Sequence, residues 1–250
     1  MTLQEFFKEN PKTALAFSGG VDSSYLLYAA REYGAQVRAY YVKTAFQPEF
    51  EYQDALRLAK QLGAEVKVLE LNALSDPKVV ENPANRCYYC KQNIFGNIWR
   101  AARADGYTVL LDGTNASDQV ADRPGMQALR ELEVRSPLRE AGLTKAQIRE
   151  LSHAAGLFTW DKPSYACLAT RIPTGVEITP EKLERTEWAE EYLKSLGFSD
   201  LRVRLYGTCA RVQLPEEQQI AFLQKKQEIL KTLKTRYSGV LLDLEARNGR

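Results

Sequence analysis

Six residues near the start of the chain, Ser18-Gly19-Gly20-Val21-Asp22-Ser23, have the types and spacing to hold an anion. Adjacent glycines let the backbone approach a phosphate, amides at a helix start point at it, and serine hydroxyls add donors. The run is neither GxxxxGK followed by Ser or Thr nor GxGxxG, because the loop has no lysine and its glycines are adjacent. A ligandless strand-to-helix turn is the competing reading. Asn82 to Lys91, NPANRCYYCK, carries a second group, Cys87 and Cys90 at the start of a new helix. Such a pair is a redox couple, two ligands of a metal site, or two unrelated thiols. The neighbouring phosphate motif argues against a thioredoxin-type couple. Trp160 to Gly175, WDKPSYACLATRIPTG, gathers Lys162, Cys167 and Arg171 among prolines and small residues with little periodicity. That pattern suits an active-site loop better than a core element, and a cysteine among cations is partly thiolate, ready to attack or to bind metal.

These groups need a scaffold that brings them to one edge. Ala14 to Phe17 reads as a buried strand that stops at Ser18, after which Tyr25 to Ala29 give a helix its apolar face. A short polar helix over 2–10 precedes it. Val37 to Val42 reads as a second strand, 49–62 as a helix stopped by Gly63, and Glu65 to Leu71 as a third strand. Thr108 to Asp112 makes a fourth, ending in Gly113-Thr114-Asn115-Ala116-Ser117-Asp118. The alternation predicts an α/β fold with a parallel sheet. Ligands of such sheets lie beyond the carboxyl ends of the strands, which places the loop with Thr114 beside the glycine turn. An ordinary Asx turn is the alternative there. Asp118 and Asp122 are carboxylates suited to the magnesium of a triphosphate, and Arg123 is suited to a phosphate. Thr144 and Gln147 have capping-box spacing at the start of a helix to Gly156, on which the sole histidine, His153, reads as structural.

From Ile178 the pattern becomes α+β: a helix over 180–196, strands over 201–205 and 209–214, a helix over 215–236 and a last strand over 240–244. Arg202 and Arg204 share a strand face, as a phosphate clamp or as a solvated or oligomer-facing surface. The expected organisation is a parallel-sheet domain over 1–177 and a small α+β domain over 178–250. Cys209 reads as a buried free thiol.

Composition narrows the function classes. The 250 residues suffice for one large or two modest domains, and a net charge of +2 gives no bulk basic field for nucleic acid. No segment approaches the run of about 20 apolar residues that a membrane span needs. The start, MTLQEFFKENPK, does not read as a signal peptide, so a cytoplasmic, reducing setting is expected. There the four cysteines are free, catalytic or metal-bound sooner than disulfide-paired.

SGGVDSS, NRCYYCK, DGTNASD, the Ser136-Pro137-Leu138 stretch and KPSYACLATRIP occur together and in this order. The set resembles the LarE family of ATP-dependent sulfur transferases, within the PP-loop ATP pyrophosphatases, over about residues 10–177, with echoes in GFSDLRVRLYG and LDLEARNGR. The resemblance implies that ATP adenylates a carboxylate of pyridinium biscarboxylic acid mononucleotide, pyrophosphate staying with Ser18, Gly19, Gly20, Asp22 and Ser23. Magnesium would accompany the ATP. Thr114, Arg123, Lys162 and Arg171 would serve the nucleotide, Arg202 and Arg204 the substrate phosphate, and Tyr41 to Lys43 would lie near adenine. In the single-cysteine form the residue matching Cys167 surrenders its own sulfur and becomes dehydroalanine. This sequence instead resembles the three-cysteine variant, in which Cys87, Cys90 and Cys167 hold a 4Fe-4S cluster whose open iron takes exogenous sulfide. A homo-oligomer formed through the C-terminal region is also implied. The rival reading is a tRNA thiolase, which is opposed by the balanced charge and the lack of further CxxC modules. A nucleotide sensor that releases no pyrophosphate is the non-catalytic alternative.

Overall fold

The computed structural model describes residues 1–118 and 124–247. The expected sites at Asp122 and Arg123 therefore lie outside the described residues. In chain order the elements begin α1 (Leu3–Glu9), β1 (Lys12–Ala16), α2 (Val21–Glu32), β2 (Gln36–Lys43), α3 (Glu49–Gln61) and β3 (Val66–Glu70). Then come α4 (Pro77–Val80), α5 (Arg86–Ala104), β4 (Leu110–Leu111), α6 (Pro124–Glu131), α7 (Pro137–Glu140) and α8 (Lys145–Ala154). The chain continues as α9 (Pro180–Ser195), β5 (Arg202–Tyr206), β6 (Cys209–Gln213), α10 (Glu216–Gln224), α11 (Lys226–Leu233) and β7 (Val240–Leu242). They fall into two compact units, residues 1–73 with 85–162, and residues 74–84 with 163–250.

In the first unit the described strands form a parallel sheet in the order β3-β2-β1-β4. The α/β expectation is met for a simple reason. β1 is buried at Thr13, Ala14 and Leu15, so successive side chains on both faces need helical cover. One face packs Leu15 and Tyr41 with Leu26, Leu27, Leu58 and Ile148; the other packs Ala14 and Tyr40 with Ile98, Trp99 and Ala102. Helices start where the sequence has caps: Thr2 with Glu5, and Thr144 with Gln147, form reciprocal capping boxes. β4 is shorter than the expected 108–112, because Asp112 leaves the ladder and donates its amide to the Arg135 carbonyl.

In the second unit β5 and β6 form an antiparallel hairpin, and β7 joins β6 in parallel. The single helix expected over 215–236 is two, α10 and α11, parted at Lys225 with φ −91° and ψ 11°. No apolar side chain at 225 or 226 continues the stripe between buried Phe222 and Ile229. Residues 74–84 belong here through buried Asn82, whose Nδ2 donates to the carbonyls of Pro173 and Val176 at 2.8 and 3.1 Å.

The turn after β1 is fixed by contact with α3. Gly19 has φ +72°, and a Cβ there would lie 2.6 Å from the Ala55 Cβ. Gly142 has φ +71° with nothing within 4 Å of a Cβ, so the pair separates backbone strain from crowding. Gly142→Ala should cost about 1–2 kcal/mol, and Gly19→Ala a further 1–3 kcal/mol or so for the overlap. Urea unfolding of both variants measures the difference; equal losses would mean that α3 does not constrain the turn.

Candidate functional site

At the carboxyl end of β1 the chain makes the turn Ser18–Gly20 and enters α2, with Gly20 as an extended N-cap that has no side chain to cap the helix. The first amides of α2, Val21 to Ser23, are beyond the reach of intrahelical carbonyls and lie at the positive end of the helix dipole. The serines stabilise the turn itself. Ser18 Oγ and Ser23 Oγ are 3.0 Å apart, and the Ser18 and Gly20 amides donate to Ser23 Oγ and Ser18 Oγ, both at 3.3 Å. The loop after β4 approaches closely, since a Cβ on Gly113 would lie 3.0 Å from the Ser23 amide nitrogen and 3.3 Å from Asp22 Cβ. The expected neighbourhood of the glycine turn and the Thr114 loop is thus present.

That loop is built around the buried Asp112 carboxylate, which accepts from Thr114 Oγ1 at 2.5 Å, Ser136 Oγ at 2.6 Å and the Thr114 amide at 3.3 Å. Burial pushes the Asp112 carboxyl above the usual carboxylate range, while these bonds oppose the rise. Asn115 links the loop to the turn, donating through Nδ2 to Asp22 Oδ1 at 3.3 Å. The other Asp22 oxygen lies 2.6 Å from Lys145 Nζ. Asp118 caps the Asn115 amide at 3.0 Å. Asp22 and Asp118 are oxygen donors of the kind magnesium takes alongside phosphates, so the chemistry of this edge fits that ion.

Cys87 and Cys90 occupy the first turns of α5 and share a helix face, Cys87 exposed and Cys90 half-buried, neither in a disulfide. Half-buried beside them is Lys91, whose side chain fills the space a Cβ on Gly125 would take, 3.1 Å away. Burial lowers the Lys91 ammonium below the usual lysine range, with Asp112, Cys87, Asp118 and Cys90 near enough to oppose the fall. Two thiols one turn apart fit two ligand positions of an iron-sulfur group. Among the described residues no group of three or more His, Cys, Asp and Glu side chains is arranged to hold a metal.

Lys162 is held inside the first unit, 3.1 Å from Glu51 Oε1 and 2.8 Å from Asp54 Oδ2 of α3, with its side chain only 12 % exposed. His153 packs edge-on against Trp160, with centroids 4.5 Å apart. Lys145 and Lys91 are the additions that sequence reasoning missed. A lysine just inside a capped helix, and one just after CxxC, look like ordinary polar positions until the fold places them.

In the second unit Cys167 begins a tight turn over Leu168–Arg171. Arg171 is fully buried and clamps it, donating from Nη1 to the Ala166 carbonyl at 2.8 Å and from Nε and Nη2 to Glu190 at 2.8 and 3.1 Å. Tyr165 Oη donates to the same carboxylate at 2.5 Å, and the Val203 amide at 3.0 Å. Arg202 and Arg204 lie beside this cluster on β5. The Arg202 guanidinium sits 4.6 Å from the Tyr165 ring centre, and Arg204 bonds to Gln213 at 2.7 Å and to the Thr170 carbonyl. Burial, with the charges of Arg171 and Arg247, pulls the Arg202 guanidinium down to about 10. Cations crowded enough to depress one another favour an anion among them. Cys209 is half-buried and free, beside Ser238.

Comparison with known proteins bears on both units. Residues 8–151, more than half of the chain, match the family model described as asparagine synthase. An uncharacterised protein of Synechocystis sp. is 39 % identical over 97 % of this chain and 92 % of its own length. Pyridinium-3,5-bisthiocarboxylic acid mononucleotide synthase of Lactiplantibacillus plantarum is 34 % identical over 100 % of this chain and 92 % of its own length. A tRNA-specific 2-thiouridylase of Thermotoga sp. is 24 % identical over 48 % of this chain and 40 % of its own length.

Glu190 carries the second unit's polar core, which makes its charge testable. Burial would raise its carboxyl, but Arg171, Tyr165 and the Val203 amide hold it below the usual glutamate range. A lowered folded value contributes stability above the unfolded value of about 4.3, lost as the pH falls through the folded one. Glu190→Gln should therefore cost roughly 3–5 kcal/mol at neutral pH by leaving a buried guanidinium without its counter-charge. The wild-type advantage should shrink in acid; urea unfolding with the same difference at neutral pH and well below 4 would refute the ionised pair.

Proposed function

The chain belongs to the LarE family of PP-loop enzymes and is an ATP-dependent sulfurtransferase, and from that premise we propose that it converts a carboxylate of pyridinium biscarboxylic acid mononucleotide into a thiocarboxylate. The observation that carries the reading is the glycine turn Ser18–Ser23 at the start of α2, in a chain matched end to end by a synthase named for that product.

A carboxylate is a poor electrophile, so one oxygen must first become a leaving group. Attack of the carboxylate oxygen on the α-phosphorus of ATP forms an acyl-adenylate and breaks the α–β phosphoanhydride bond. The charge that develops on pyrophosphate falls against the amides of Val21 to Ser23 and the Ser18 and Ser23 hydroxyls. Magnesium, with Asp22 and Asp118 as its protein oxygens, would accompany the pyrophosphate. A sulfur nucleophile then adds to the acyl carbon and AMP departs, which leaves the thiocarboxylate.

Cys87, Cys90 and Cys167 are the residues that would hold a 4Fe-4S cluster. When bound, such a group supplies an iron site able to carry exogenous sulfide, which spares the Cys167 sulfur. Arg171 orients the Cys167 turn through the Ala166 carbonyl, and Arg202 and Arg204 would hold the substrate's own phosphate. The depressed Arg202 guanidinium supports an anion there. Against tRNA as substrate stand the near-neutral chain and a thiouridylase match confined to about half of it.

Two variants should separate the half-reactions. Asp22→Ala should lose pyrophosphate release by about a hundredfold or more while anaerobically reconstituted protein keeps its iron. Cys167→Ala should still release pyrophosphate, form no thiocarboxylate and lose the roughly four irons per chain of the wild type. Iron and acid-labile sulfide assays, a malachite-green assay after pyrophosphatase and mass spectrometry of the product read these outcomes. Full iron retention in Cys167→Ala would refute the three-thiol site. Dehydroalanine at 167 after wild-type turnover would assign the sulfur to the cysteine itself.

A further inference from the structure

The glycine turn has an electrostatic problem that its own residues do not solve. Pyrophosphate carries several negative charges, yet the turn contains no lysine or arginine and includes a carboxylate, Asp22. Lys145 meets that carboxylate from 123 residues away, with Nζ 2.6 Å from Asp22 Oδ2. Its backbone is fixed in place: the Lys145 amide donates to Ser117 Oγ at 3.0 Å, and the Ala116 amide to the Leu143 carbonyl at 2.8 Å. The Thr144–Gln147 capping box sets the first turn of α8 around it. The loop after β4 and the start of α8 therefore hold Lys145 at the turn, while its flexible side chain remains partly open to solvent, 28 % exposed against 22 % for Asp22.

We propose that Lys145 is the phosphate-binding cation of this turn, held by Asp22 until a divalent cation claims that carboxylate. The proposal rests on the reading that Ser18–Ser23 binds the pyrophosphate of ATP. Lysine suits the task because its ammonium is a compact charge on a rotatable stem, able to leave one oxygen partner for another nearby. A divalent cation and Lys145 compete for one carboxylate and cooperate on one anion. Removing the lysine must then move two affinities in opposite directions, which a structural ion pair would not do.

The test uses the full chain, with inorganic pyrophosphate and manganese as probes. In Lys145→Met, calorimetric affinity for pyrophosphate with magnesium should fall about tenfold or more, as expected for loss of a charge-assisted contact. Affinity for manganese alone, read by electron paramagnetic resonance, should rise severalfold because its competitor is gone. Lys145→Arg should restore part of the pyrophosphate affinity. Unchanged pyrophosphate affinity, or manganese affinity that stays level or falls, overturns the exchange. Wild-type protein that binds no pyrophosphate with magnesium overturns the nucleotide reading and this proposal with it. Asp22→Asn gives a second route should Lys145→Met fail to fold. It frees the ammonium, so pyrophosphate binding without any divalent cation should strengthen, and no gain there also overturns the proposal.

Discussion

A helix that begins without a side-chain cap, at the carboxyl end of a buried strand, leaves backbone amides that only an outside acceptor satisfies. That constraint at Gly20 to Ser23 organises the first unit. Gly19 takes a left-handed conformation and presses against Ala55, Gly113 presses against the Ser23 amide, and the serines stitch the turn shut. Each contact narrows the freedom of the turn without consuming the first amides of α2. Preorganised donors of this sort stabilise charge without having to reorganise as it forms.

Cations around this edge are matched with acids instead of being left to bind whatever anion arrives. Lys145 faces Asp22, Lys162 faces Glu51 and Asp54, and Lys91 lies within reach of Asp112. The second unit has a different balance. Glu190 answers Arg171 and Asp200 answers Arg247, while burial, with the charges of Arg171 and Arg247, lowers the proton affinity of Arg202.

The asparagine synthase model covers 8–151, which spans the sheet and its glycine turn, and the thiouridylase match covers about half the chain. The synthase from Lactiplantibacillus plantarum matches the second unit as well.

Much of this was legible in the chain itself. The glycine turn, the strands around it, the caps at Thr2 and Thr144, and the helix carrying Cys87 and Cys90 follow from local rules, in which a few neighbouring residues decide the conformation. The α/β class follows from their alternation. Long-range pairing is different, because nothing local to Lys145 mentions Asp22 and nothing local to Lys162 mentions Glu51. Likewise Arg171, which reads as a ligand arginine in its irregular segment, is committed to Glu190 and a carbonyl, and the helix over 215–236 breaks where its apolar stripe lapses. Sequence determines which groups exist and which local turns they prefer. Only the tertiary structure decides which charges are already neutralised, since Coulomb interactions depend on distance in space and not along the chain.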